Sequence, residues 1–170
     1  MKYKVLSKQN NSSMCFVCGV DNDFGVKAKF YVCENENGEK VLLTVIEPQN
    51  EFQSYPGRMH GGISSALLDE ALGRSVQIDH PELWGVTVDL QVKYRKPVPL
   101  DETLYIESKI TNMTSRAFDG EGKLFGKDGK AMVTANARFL IMPPDKISEE
   151  ALNHQNWFYV EEDLPKEIII

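Results

Sequence analysis

No stretch of this 170-residue chain approaches the roughly 20 consecutive apolar residues needed to cross a bilayer. The opening MKYKVLSKQNNSS lacks the apolar centre of a signal peptide, so a cytoplasmic protein without a membrane partner is expected. Positive charge is also short: 19 Lys and Arg against 25 Asp and Glu leave a net charge of −6. That balance disfavours nucleic acid as a partner, because phosphate binding needs clustered cations. The nearest thing to a basic cluster is Lys93, Arg95 and Lys96, enough for one phosphorylated ligand. No G-x-S-x-G elbow occurs, which removes the usual serine-hydrolase arrangement.

Cysteine is limited to Cys15, Cys18 and Cys33, an odd count that points to free thiols instead of a disulfide framework. Cys15 and Cys18 form a C-x-x-C. A structural zinc site would want two further ligands, and only Cys33 is near in sequence. A thioredoxin-like pair would open a helix, and this one precedes a strand. The pair therefore reads as a tight turn with two small buried side chains, and neither a metal nor another cofactor is expected.

What is present is the composition of an ordinary globular domain, 42% hydrophobic and 26% charged. Residues 1–25 are polar and turn-rich. Residues 26–142 carry the periodic segments, and residues 143–170 open with Pro-Pro and hold many acids, as an appended tail would. Within the central part, strands are predicted at about 26–34 and 39–47, a helix at 60–79, and strands from 86 to 94 and near 102–112, 116–126 and 130–142. Val86, Val88, Leu90, Val92 and Tyr94 alternate with Thr87, Asp89, Gln91 and Lys93, the period of a half-buried strand. Trp157, Phe158 and the final isoleucines suggest that part of the tail docks on something. One helix and about six strands make an α+β fold, most economically an antiparallel sheet curled around that helix. One helix cannot cover both faces or close both edges, so a homo-oligomer is expected.

The helix begins at RMHGGISSALLDEALGRS. At 100° per residue, Leu67, Leu68, Ala71, Leu72 and Val76 face the sheet, while Glu70, Arg74 and Gln77 lie opposite. Glu70 and Arg74 form a favourable i,i+4 pair and read as solvated. Asp69 stands at the border of the apolar arc, flanked by Gly62 and Gly73 on the wheel. A carboxylate there is costly unless something uses it, and burial would raise its pKa toward base work. Gly61 and Gly62 fall at the helix N-terminus, where unpaired amides point outward and a ligand can approach closely. That geometry suits a developing oxyanion, with His60 at its entrance.

MHGGISSALLDEALG resembles the signature of the hotdog-fold acyl-CoA thioesterases, in particular the branch named after the phenylacetate-pathway thioesterase. CFVCGVDNDFGV, GVTVDLQVKYRKPVP and DGKAMVTANARF resemble the same branch, so the likeness covers roughly residues 14–142. It implies that the Gly61 amide polarises the thioester carbonyl, with Gly62 beside it. Asp69, from a partner subunit, would act as general base on water or as nucleophile. Thr87 would hold water or the carboxylate, and His60 would shape the pocket. Lys93, Arg95 and Lys96 would contact the phosphates of coenzyme A. The chain departs from the pattern at Ser54, where many relatives carry asparagine or glutamine. Gln53, next to it, is the residue that could fill that role.

The resulting expectation is hydrolysis of a small or medium acyl-CoA, or an aryl-acyl-CoA, to free acid and coenzyme A by a dimer or tetramer. A non-catalytic acyl-CoA-binding sensor is the alternative of another class. A hotdog enoyl-CoA hydratase is the nearest enzyme alternative, because YRKPVPLDETL faintly resembles the hydratase strand. Those enzymes keep aspartate and histidine close together on one helix, whereas His60 and Asp69 are nine positions apart.

Overall fold

Alternating apolar residues and Gly- or Pro-marked breaks give the chain mostly short paired strands, with one periodic segment long enough for a helix. The computed structural model describes residues 1–150 and 156–170. In chain order come β1 (Lys2–Lys8), β2 (Asn11–Ser12), β3 (Lys29–Glu34), β4 (Lys40–Ile46), α1 (Gly61–Arg74), β5 (Gly85–Tyr94), β6 (Leu104–Met113), β7 (Ala117–Phe125), β8 (Ala131–Ile141), α2 (Pro144–Ile147), β9 (Trp157–Phe158) and β10 (Glu167–Ile169). Eight strands make one antiparallel sheet in the order β10-β1-β3-β4-β6-β7-β8-β5. Helix α1 packs against β4 through β8 and is continued by a 3₁₀ turn, Ser75–Ile78.

The sheet is two strands larger than the sequence suggests, and both additions come from segments read as lying outside the domain. In β1, lysines alternate with Tyr3 and Val5, and Tyr3 is buried while paired opposite Ile168. A short, lysine-rich strand near the edge of a sheet discourages pairing with other chains, and its sequence therefore reads as polar coil. The tail docks as well: β9 pairs with β2, β10 pairs with β1, and Glu162 bridges Lys8 and Lys29 at 2.8 and 2.9 Å. Residues 151–155 of that tail lie outside the described residues.

Burial divides between the two faces. Leu67, Leu68 and Leu72 of α1 meet Ile106, Phe118 and Phe139 of the sheet, all essentially inaccessible. Phe118 and Phe139 stack at 4.9 Å, an arrangement that contributes about 1 kcal/mol beyond area burial. On the opposite face Tyr3, Tyr31, Cys33, Leu43, Tyr105 and Phe125 form a second cluster, packed by Ile168 and Ile170. Cys33 is thereby separated from Cys18, which belongs to the helix-side core.

Strand β5, at the sheet margin, departs from strict alternation. Its register with β8 shifts between Thr87 and Asp89, so Val88 is an extra residue. One extra residue reverses which face each following side chain takes. Leu90 and Val92 pack on the helix-side core, yet Thr87, on the other side of the bulge, also turns toward the helix. Val86, Val88 and Tyr94 stay 36%, 51% and 56% exposed in the single chain, so the apolar face is less covered than its period implies.

Candidate functional site

The start of α1 is built around its two glycines. His60 is the N-cap, and its Nδ1 accepts from the Gly62 amide at 2.9 Å. A neutral ring capping in this way carries its proton on Nε2, where it remains a donor. Gly62 is thus occupied by the cap, whereas the Gly61 amide has no hydrogen-bond acceptor among the described residues. Tyr94, at the end of β5, packs beside Gly61: its hydroxyl donates to the Gly61 carbonyl at 2.9 Å and lies 2.5 Å from the Ser65 hydroxyl. A Cβ on residue 61 would sit 3.3 Å from the Tyr94 ring, so glycine lets strand and helix close here. The sequence marks Tyr94 only as the last apolar position of an alternating run.

Asp69 is half-buried, and no ion pair involves it among the described residues. Thr87 Oγ1 donates to its Oδ1 at 2.8 Å. Burial pushes its pKa above the ordinary carboxylate value; the Thr87 hydrogen bond acts against this and the charge of Glu70 adds to it. Asp69 and Thr87 line a cavity of about 220 Å³, bounded also by Gly73, Trp84, Phe139 and Trp157. The bulge in β5 makes the Asp69–Thr87 contact possible, because an unbroken alternation would leave Thr87 on the face of Asp89 and Gln91.

Asp69 and the Gly61 amide do not meet within one chain. They lie about 12 Å apart along the helix, at about 1.5 Å of rise per residue. Chemistry that uses both needs two copies of α1.

Other expected site residues fall elsewhere. Gln53 Oε1 accepts from the Gly57 amide at 2.8 Å and thus closes the 53–59 loop, while Ser54 is exposed. Neither lines the Asp69 cavity. Lys93 and Lys96 are exposed. Arg95 reaches Thr134 at 3.3 Å and borders a groove with Glu107, Lys109 and Lys123, away from Asp69.

The Glu70–Arg74 pair is not the solvated pair that the wheel suggests. Arg74 is 5% exposed, bonded to Glu70 at 2.8 Å and to the Asn10 carbonyl at 2.7 Å, with Phe30 and Trp157 against its guanidinium at 4.2 and 4.5 Å. A helical wheel places residues relative to the helix alone, and here the two chain-end segments cover its far side. Arg74 also donates to Cys18 Sγ at 3.0 Å, and Cys15 Sγ lies 4.0 Å from Glu70 Oε2. The hydrogen bond from Cys18 lowers the Cys15 thiol, against burial and the charge of Glu70, while the same hydrogen bond and burial push the Cys18 thiol up, so the pair holds one proton between its sulfurs. Glu70 is thus the neighbour of the C-x-x-C that sequence reasoning missed; no signal joins residues 55 positions apart.

Comparison with known proteins bears on the fold. The Thioesterase superfamily model matches residues 56–133. An uncharacterized protein of Schizosaccharomyces pombe is 28% identical over 117 residues, covering 68% of this chain and 67% of that one. Acyl-coenzyme A thioesterase THEM4 of Bos taurus is 25% identical over 141 residues, 81% of this chain but only 55% of the bovine protein. The chain therefore spans little more than half of that relative. A solved structure of a thioesterase superfamily protein superposes with a TM-score of 0.65 at 25% identity, covering 74% of this chain and 59% of the other.

Proposed function

We propose that the chain, which matches the Thioesterase superfamily over residues 56–133 and superposes on a solved member of it, hydrolyses small or medium acyl-CoA thioesters. The observation that carries this reading is Asp69: a half-buried carboxylate without a cationic partner among the described residues, steered by Thr87 at the edge of a cavity. The name of the bovine relative favours a coenzyme A thioester as substrate.

The working site forms between two protomers. One contributes the Gly61 amide at the positive end of α1, which accepts the charge that builds on the thioester oxygen; one such donor is typically worth about 10²–10³ in rate. The other contributes Asp69, which takes a proton from water as the water oxygen bonds to the carbonyl carbon. Collapse then breaks the carbon–sulfur bond and releases coenzyme A. In the alternative order an Asp69 oxygen bonds to the carbonyl carbon, the carbon–sulfur bond breaks with departure of coenzyme A, and water then cleaves the resulting anhydride to free acid and Asp69. His60, through Nε2, is placed to hydrogen-bond the substrate.

The test is thiol release from acyl-CoAs of graded chain length and from aryl thioesters, with Asp69→Asn beside wild type. A loss of about 10²–10⁴-fold with an unchanged far-ultraviolet spectrum is expected. Equal, slow release from both proteins with tight ligand binding retained would replace the hydrolase with a binding dimer. Turnover of enoyl-CoA without thiol release would indicate a hydratase.

A further inference from the structure

The hydrolase reading leaves the Cys15–Cys18 pair idle, although both the turn before β3 and helix α1 shape its surroundings. In CFVCG the chain makes a tight turn: the Val17 and Cys18 amides approach Cys15 Sγ at 3.3 and 3.5 Å, and the Gly19 amide returns to the Cys15 carbonyl at 2.8 Å. A Cβ at residue 19 would stand 2.3 Å from that carbonyl oxygen, so only glycine closes the turn. From α1, Glu70 brings a carboxylate to the same place. The two sulfurs and one Glu70 oxygen all lie within 4.8 Å of one another.

We propose that Cys15, Cys18 and Glu70 form a binding site for a thiophilic divalent cation of the zinc type. Two thiolates and a carboxylate are a suitable donor set, and three protein ligands leave a fourth tetrahedral position open. Amides directed at Cys15 Sγ steady a metal-bound thiolate. Arg74 does the same from the other side, donating to Cys18 Sγ and to Glu70 Oε1 while Oε2 faces Cys15. The charges close: the three ligands carry three negative charges, which one guanidinium and one divalent cation neutralise. Access exists through a cavity of about 330 Å³ lined by Ser12, Cys15, Cys18, Glu70, Trp84 and Asn156. The cation would tie the turn before β3 to α1, one residue from Asp69. The inference does not depend on the hydrolase reading.

The experiment is a cobalt(II) titration of the full chain, stripped with chelator and kept reduced. One equivalent should develop intense sulfur-to-cobalt charge-transfer absorption, and zinc should abolish it. Cys15→Ser and Cys18→Ser should each weaken binding by about 100-fold or more, and Glu70→Gln by about 10-fold. Mass mapping of alkylation gives a second readout on wild type alone, in case a variant misfolds: bound zinc should protect Cys15 and Cys18. Cobalt uptake without thiolate absorption, affinity unchanged by the serine variants, or unprotected thiols at saturating zinc would each overturn the proposal. So would a pair that passes to a Cys15–Cys18 disulfide and takes up no metal after reduction.

Discussion

Ionised Asp69 is strained electrostatically: burial removes water from its carboxylate, Thr87 restores one hydrogen bond, and Glu70 adds a like charge. Its folded pKa therefore lies above the unfolded value. Between the two values the native state binds more protons than the unfolded state, so stability falls as pH rises through that window. Asp69→Asn should match wild type in urea melts below the ordinary carboxylate range and exceed it at neutral pH. Thr87→Val removes the interaction that holds the pKa down, so the acid limb of kcat/KM for thiol release should move to higher pH. An unmoved limb would mean that Thr87 does not steer the reacting carboxylate. Much at this scale is legible in sequence: Asp69 stands out because a carboxylate interrupts an apolar arc, and Gly61 because glycines open a helix. Arg74 and Tyr94 are not legible, because their surroundings come from chain remote in sequence.

Among the elements, the helix and the strands of residues 26–142 follow from period and breakers, and their bounds shift by only a few residues. Two features escape that reasoning. The bulge of β5 is invisible to a count of alternation, since Val88 fits the apolar pattern while occupying the extra position. The tail strands are too short for periodicity to detect, at two and three residues. Charge adds to the strand pairing that secures the tail: the Lys8 hydrogen bond, helped by Lys29, holds Glu162 down to about 2. A depressed carboxyl adds stability above its unfolded pKa and loses it as pH falls through the folded value. Thermal melts of wild type should therefore lose stability between about 4.5 and 2, and Glu162→Gln should start lower and show a flatter acid slope. Parallel acid slopes in the two proteins would show that this ion pair does not secure the tail.

For the whole molecule, the exposed apolar residues of β5 and the separation of Gly61 from Asp69 both support the proposed arrangement of two chains sharing two sites. Val88→Asp should shift the sedimenting species toward the protomer and abolish thiol release in parallel. A fully active single protomer would refute the shared site. The expectation of a second copy arises from sequence alone, because one helix cannot cover such a sheet, but the surface such a copy would use does not. That surface depends on which strand ends at the margin, and margin position is set by the order of pairing across the whole sheet.

The chain has two tryptophans, Trp84 just before β5 and Trp157 in β9, and their rings lie 4.9 Å apart. At that spacing the strong far-ultraviolet transitions of two indoles couple, so the dichroism of the native protein there carries a couplet that neither ring has alone. The molecule thus holds its own optical gauge of tail docking, one that needs no added label and reads from the rim of the cavity beside Asp69.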